Sequence, residues 1–250
     1  MNIGIIVQAR LGSSRLPDKI ILPFYNGKSI IDILLEKLHK INNVKIIVAT
    51  TVNPADDKLA KYLSDKGEII YRGSENDVLE RFISAAKDNG CDAIVRICSD
   101  NPFIDIEGIE LLIEAAKKSH ADYIGFKING KPSIQTHFGF WGEFVRLEAL
   151  ETVYHNPDAS QADHEHVTYH IYNHPDDFSC EFIDAPDFLQ NRNDIRLTVD
   201  TADDFSNAGV VFKSLNEKTR DFSLEEVIGF LDSHPEIKDS MKKNILSNTK

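Results

Sequence analysis

The 250-residue chain predicts an α/β fold on a mostly parallel sheet, and three observations carry that prediction. Short apolar runs alternate with longer stretches of helical period, as βα units do. The runs are continuous, the pattern of strands covered on both faces. The chain is long enough to bury a sizeable core, and no apolar run approaches the ~20 residues of a membrane-spanning helix.

The first strand is residues 3–7, and 44–51 and 93–98 are further buried strands. Between them, 29–41 places Ile30, Leu34, Leu38 and Ile41 on one face, and 76–89 places Leu79, Phe82, Ile83 and Ala86 on one face. Both predict amphipathic helices. Ser29 and Asn76 suit N-caps, and Gly90 suits the residue just past a helix end. A helix over 106–119 and a strand over 122–126 form another unit. From 127 to 186 the periodicity weakens, which predicts an inserted subregion within one domain spanning 1–250. Its elements are a strand near 138–145, a helix near 147–154 and a helix over 163–173. The regular pattern resumes with a strand at 195–199 and helices at 202–215 and 223–233, and 242–250 reads as a frayed polar end.

A formal charge of −12 disfavours a nucleic-acid polymer as partner, because that affinity needs clustered cations. The first thirty residues reverse the sign, with Arg10, Arg15, Lys19 and Lys28 against Asp18 alone. Cys91, Cys98 and Cys180 show no C-x-x-C spacing, and no basic cleavable leader follows Met1. The expectation is a reducing cytoplasm and no membrane partner.

The strongest local signal is the loop after the first strand, Gln8-Ala9-Arg10-Leu11-Gly12-Ser13-Ser14-Arg15-Leu16-Pro17-Asp18-Lys19. Such a loop leaves the strand end where open α/β sheets bind ligands. Gly12 and the serines let backbone N–H groups approach an anion, and three cations suit a triphosphate. The spacing is neither that of a Walker loop nor of a dinucleotide fingerprint. A solvated basic turn is the plainer alternative.

Asp100 and Asp200 each close an apolar run, so parallel strands would bring both to the rim of that loop. Mg²⁺ beside a polyphosphate uses one or two such carboxylates, although each Asp alone would also serve as a helix cap. Arg72 and Ser74, before a helix start, would contact a base or ribose, or simply build the turn. His166, His170 and His174 recur every fourth residue, but neither H-E-x-x-H nor a completed zinc set is present, so His166 is expected at the cleft.

Five segments in this order resemble the cytidylyltransferases: 8–19, Arg72-Gly73-Ser74-Glu75 with Asp77-Val78-Leu79, Arg96-Ile97 with Asp100 and Pro102, Glu165-His166-Val167-Thr168, and Val199-Asp200-Thr201. The nearest branch is the SpsF-like proteins of spore-coat polysaccharide synthesis, with CMP-Kdo synthetase and acylneuraminate cytidylyltransferase further off. The resemblance runs from about residue 2 to 235. It implies a three-layer α/β/α nucleotidyltransferase, Rossmann-like, with a protruding segment for homodimerisation. It further implies that Gln8, Ala9, Arg10, Gly12, Ser13, Arg15 and Lys19 line a CTP site, with Arg72 and Ser74 beside cytosine and ribose. Asp100 and Asp200 would hold Mg²⁺, and Lys19 and Arg10 would stabilise charge in the transition state. CMP would pass to a sugar acid or a small phosphorylated or phosphonate acceptor, for a surface polysaccharide. The sequence departs from the relatives at Asp18, where they have Gly, at Trp141, where they have Asp, and at His164, where they have Arg. For the acceptor, Glu143, His166, Trp141 and His137 are the candidates. Two rivals are a metal-dependent glycosyltransferase, for which three loop cations are more than a diphosphate requires, and a non-catalytic nucleotide-binding module, against which Lys19, Asp100 and Asp200 argue.

Overall fold

The computed structural model describes residues 1–219 and 221–247. In chain order the elements are β1 (Ile3–Gln8), β2 (Pro23–Tyr25), β3 (Lys28–Ser29), α1 (Ile30–Leu38), β4 (Lys45–Thr51), α2 (Asp57–Ser64), β5 (Ile69–Gly73), α3 (Val78–Asp88), β6 (Ala93–Cys98) and α4 (Ile106–Lys118). They continue with β7 (Tyr123–Ile128), β8 (Lys131–Pro132), β9 (Glu143–Arg146), α5 (Leu147–Tyr154), α6 (Gln161–Glu165), α7 (Tyr169–Asn173), β10 (Cys180–Asp184), α8 (Ala202–Asn216), α9 (Leu224–Asp232) and α10 (Pro235–Ser247).

The main sheet runs β10-β7-β9-β6-β1-β4-β5, with β8 on β7. The β1–β4, β1–β6, β4–β5 and β7–β10 pairs are parallel, and β9 lies antiparallel between β6 and β7. Strand alternation builds the three layers. Ile3, Ile5 and Val7 pack with α1, α4, α8 and α9, whereas Ile6, Ile47 and Ile94 pack with α3 and α5 on the other face. Each fully buried aliphatic side chain contributes about 1.5–3 kcal/mol, so β1 alone anchors both layers. The chain crosses from one side of β1 to the other between β5 and β6. That reversal opens a crevice beyond Gln8 and Cys98, which pair across β1 and β6.

Ser29 caps α1 in a reciprocal box with Asp32, as its position predicts. The α3 cap is Asp77, not Asn76, because its carboxylate accepts the Glu80 N–H at 2.9 Å. The segment 127–186 supplies β8, β9 and β10 to the same sheet. The strand expected at 138–145 shortens to Glu143–Arg146. The helix expected over 163–173 is two short helices, α6 and α7, broken where Val167 takes a positive φ of 22°. The strand expected at 195–199 joins no ladder and bends at Thr198. Its Leu197 and Thr198 N–H groups donate to His137 O, and Val199 N–H donates to Asp100 O. The frayed end expected at 242–250 is helical through Ser247, because Ile237 and Met241 lie one turn apart and are both buried; residues 248–250 lie outside the described residues. No described helix is long and apolar enough to cross a membrane.

Lys37, in the last turn of α1, donates to Ile104 O at 3.1 Å and lies 5.0 Å from the Phe222 ring centre. Burial, assisted by Lys40, pulls its pKa down to about 8. The unfolded chain therefore binds more protons between that value and the ordinary 10.5, so stability from this group rises with pH across the interval. Lys37→Met is expected to stabilise the protein at neutral pH by about 1–2 kcal/mol, discounted for the lost bond to Ile104, and to flatten that rise. Urea unfolding of both proteins at neutral and alkaline pH measures it.

Candidate active site

The loop after β1 is tied down before it reaches the crevice. Ala9 N–H donates to Ala49 O at 3.1 Å, and Leu11 N–H donates to the buried Asp56 carboxylate at 2.7 Å. Ala9 and Leu11 point into the core, so alternation turns Arg10 and Gly12 outward. Gly12 has open space where a side chain would stand, which leaves the loop backbone accessible. A cavity of about 260 Å³ sits over it, lined by Gln8, Arg10, Gly12, Ser13, Arg15 and Lys19, with Asp100 and Asp200 on its far wall. Ala9 is the one loop residue expected here that lies behind the wall.

Lys19 holds the two carboxylates together. It is only 8% exposed. Its Nζ lies 3.0 Å from Asp100 Oδ2 and 3.1 Å from Asp200 Oδ1, and it also donates to Val199 O. Burial alone would lower its pKa, but Asp100 and Asp200 together hold it above the ordinary lysine value. For Asp200, burial disfavours the charge, yet Lys19, then Arg15 at 3.2 Å and Arg196 at 2.8 Å, keep its carboxyl below the ordinary range. Two carboxylates converging on one cation at the edge of that cavity are a donor set that fits Mg²⁺.

Asp200 reaches this point without a strand behind it. Arg196 is buried and makes a two-toothed pair with Asp204, at 2.9 and 3.0 Å, while its second terminal nitrogen also reaches Asp200. A lone arginine inside the apolar run 195–199 was the available sequence signal, since a buried guanidinium needs partners.

A second cavity, of about 250 Å³, shares Arg15, Cys98, Asp100 and Asp200 with the first. Its outer walls are Ser133, Ile134 and Thr136, then the aromatic run at 138–141. Trp141 lines it, fixed by stacking on Phe126 at 4.1 Å and by donating Nε1–H to Asp105 at 2.8 Å.

The other expected acceptor residues stand elsewhere. Glu143 is 1% exposed, with its oxygens taken by Arg96 at 2.8 Å, Tyr123 at 2.7 Å and Thr168. It is a core partner of Arg96 because β9 lies inside the sheet. His137 gives its ring nitrogen to Arg196 at 2.7 Å and its carbonyl to 197 and 198, so it fastens a loop. His166 ends α6, is exposed and lines neither cavity, because the break at 167 turns it away from the crevice. His170 and His174 stack at 3.9 Å, and no group of three metal-ligating side chains is found among the described residues. Arg72 and Ser74 line neither cavity either. Arg72 binds the carbonyls of Thr51 and Asn53 and pairs with Asp57, and Ser74 Oγ accepts the Asp77 N–H, so both build the turn beyond β5.

Asp18 has a positive φ of 58°, the left-handed region where glycine is unstrained, and it pairs with the exposed Lys58. Asp18→Gly is expected to change stability by no more than about 1 kcal/mol and to tighten binding of a polyphosphate several-fold at low salt, less at high salt. Calorimetric titration at two ionic strengths reads both.

A Rossmann-like α/β/α core with a cationic loop and paired carboxylates at its switch point defines a nucleotidyltransferase. The cytidylyltransferase family model matches residues 4–233, and the chain belongs to that family. An uncharacterized protein of Methanocaldococcus jannaschii is 37% identical over 256 residues, spanning 100% of this chain and 96% of its own. The spore coat polysaccharide biosynthesis protein SpsF of Bacillus subtilis is 30% identical, over 94% of this chain and 96% of its own. Kdo-type (3-deoxy-manno-octulosonate) cytidylyltransferases match less than half of the chain. Among solved structures, a cytidylyltransferase from Leptospira borgpetersenii superposes with a TM-score of 0.78 at 28% identity, covering 95% of this chain and 96% of that one.

Proposed function

We propose that the protein transfers CMP from CTP, with Mg²⁺, to a small acceptor oxygen and releases pyrophosphate, as a step toward an activated precursor of a surface polysaccharide. The observation that carries this is the convergence of Arg10, Arg15 and Lys19 with Asp100 and Asp200 on one cavity that shares Arg15, Asp100 and Asp200 with a second. The triphosphate occupies the first cavity, against the loop N–H groups and the three cations. Its anionic oxygens compete for the Lys19 ammonium, and as Lys19 turns to them it releases Asp100 and Asp200. Mg²⁺ bound there would neutralise phosphate charge and orient the α-phosphate. The acceptor oxygen enters from the second cavity and attacks the α-phosphorus in line, and the bond to pyrophosphate breaks. Lys19 and Arg10 stabilise the charge that grows on the phosphoryl and leaving oxygens.

The SpsF relative supports a polysaccharide setting, and the Kdo relatives support a sugar-acid acceptor. Pyrophosphate release from CTP and Mg²⁺ over a panel of sugar acids, sugar phosphates and small phosphonates tests the reaction. Turnover with one class of acceptor is the expected result. Binding of CTP with no turnover on any acceptor would favour a non-catalytic nucleotide-binding module.

A further inference from the structure

Two buried polar atoms in the wall of the second cavity have no hydrogen-bond partner, Asn101 Oδ1 and Thr198 Oγ1, on residues 4% and 5% exposed. Buried polar atoms are paired in most native structures, and two orphans on one cavity wall call for a physical reason. Both side chains meet Gly139, Asn101 through Oδ1 and Thr198 through its methyl group. A Cβ built on Gly139 would lie 2.5 Å from Asn101 Oδ1 and 3.0 Å from Thr198 Cγ2, and its φ of 65° is again one that glycine adopts freely. Gly139 is thus the contact at which any side chain would seal the pair away.

We propose that Asn101 and Thr198 are the specificity-determining pair for the acceptor, reading its hydroxyl groups. This rests on the reading of the second cavity as the acceptor site. Asn101 Oδ1 only accepts, so it selects a donor, and the Thr198 hydroxyl both donates and accepts. Phe140 and Trp141 beside them suit the C–H face of a ring. Arg15 is the only cation among the described lining residues, and it pairs with Asp200, which both cavities share. A phosphate set against Asn101 Oδ1 would meet a carbonyl oxygen with no counter-charge. The chemistry that fits is a polyhydroxylated ring whose one anionic group stays at the reacting end.

Trp141 is the only tryptophan in the chain, so its fluorescence reports this cavity without CTP or turnover. The probes are 3-deoxy-manno-octulosonate, a neutral methyl glycoside and inorganic phosphate. The expected result is saturable perturbation of Trp141 by the first, and none by inorganic phosphate at the same concentrations. Thr198→Val, which keeps the volume and removes the orphan hydroxyl, should weaken that binding about tenfold with an unchanged or raised melting temperature. Asn101→Ala should weaken it by at least as much. Unchanged affinity in Thr198→Val, tighter binding of inorganic phosphate, or no response to either hydroxylated probe overturns the proposal. CTP calorimetry on the same samples separates these outcomes from a failure of the nucleotide site.

Discussion

Lys19→Met is expected to lower turnover by about 10²–10³-fold, the usual cost of removing one preorganised donor from a developing charge. The same change leaves Asp100 and Asp200 facing each other, since Nζ now stands 3.0 and 3.1 Å from them. Their repulsion should also reduce stability in the absence of nucleotide. The pH dependence has a definite sign. Lys19 titrates above its ordinary 10.5 in the fold, so its contribution is complete below that value and is lost as pH rises through the folded pKa. Asp200 titrates below its ordinary 3.8, so its contribution is present above that value and is lost as pH falls through the folded pKa. The variant should lose the alkaline limb of the stability profile. Lys19→Arg is not expected to restore turnover, because a planar guanidinium cannot take the place of a compact ammonium among three oxygens. Pyrophosphate-release kinetics and thermal melts across pH measure both effects; wild-type turnover in Lys19→Met would remove this residue from the chemistry.

Glu143→Ala is expected to act on folding. The substitution strands the Arg96 guanidinium, whose side chain is buried, and removes the acceptor for Tyr123 and Thr168. Breaking a buried pair from one side costs about 3–5 kcal/mol, a fall in melting temperature on the order of 10 °C for a chain of this size. Burial first, then Glu143, pushes the Tyr123 hydroxyl well above its ordinary pKa, so it remains a donor and accentuates the loss. Glu143→Gln, which keeps the shape, should fall between the two. A residue that met the acceptor would behave oppositely, with an unaltered melting temperature and a raised acceptor KM.

This contrast marks what the sequence could and could not show. Continuous apolar runs gave away β1, β4 and β6, because strands covered on both faces leave no polar alternation to obscure them. The loop at 9–19 and Asp100 followed from strand ends alone. Asp200 arrived where expected for a different reason, since Arg196 and the carbonyls of His137 and Asp100 position the segment that no ladder holds. Glu143 was misread because a motif gives position along the chain and not the face of the sheet. Arg96, a cation inside the run 93–98, was the signal that a buried carboxylate had to lie opposite. His166 was lost to a break at Val167 that no periodicity announces. Asn101 and Thr198 left no trace, because an unsatisfied atom is visible only once its surroundings are.

That the cationic loop and the two carboxylates form one CTP site is tested by calorimetric titration of CTP with Mg²⁺. One binding site per chain is expected, selective for CTP over ATP and GTP, and weakened at least tenfold by Lys19→Met. Absence of CTP binding in the wild-type protein, or equal affinity in Lys19→Met, would contradict it.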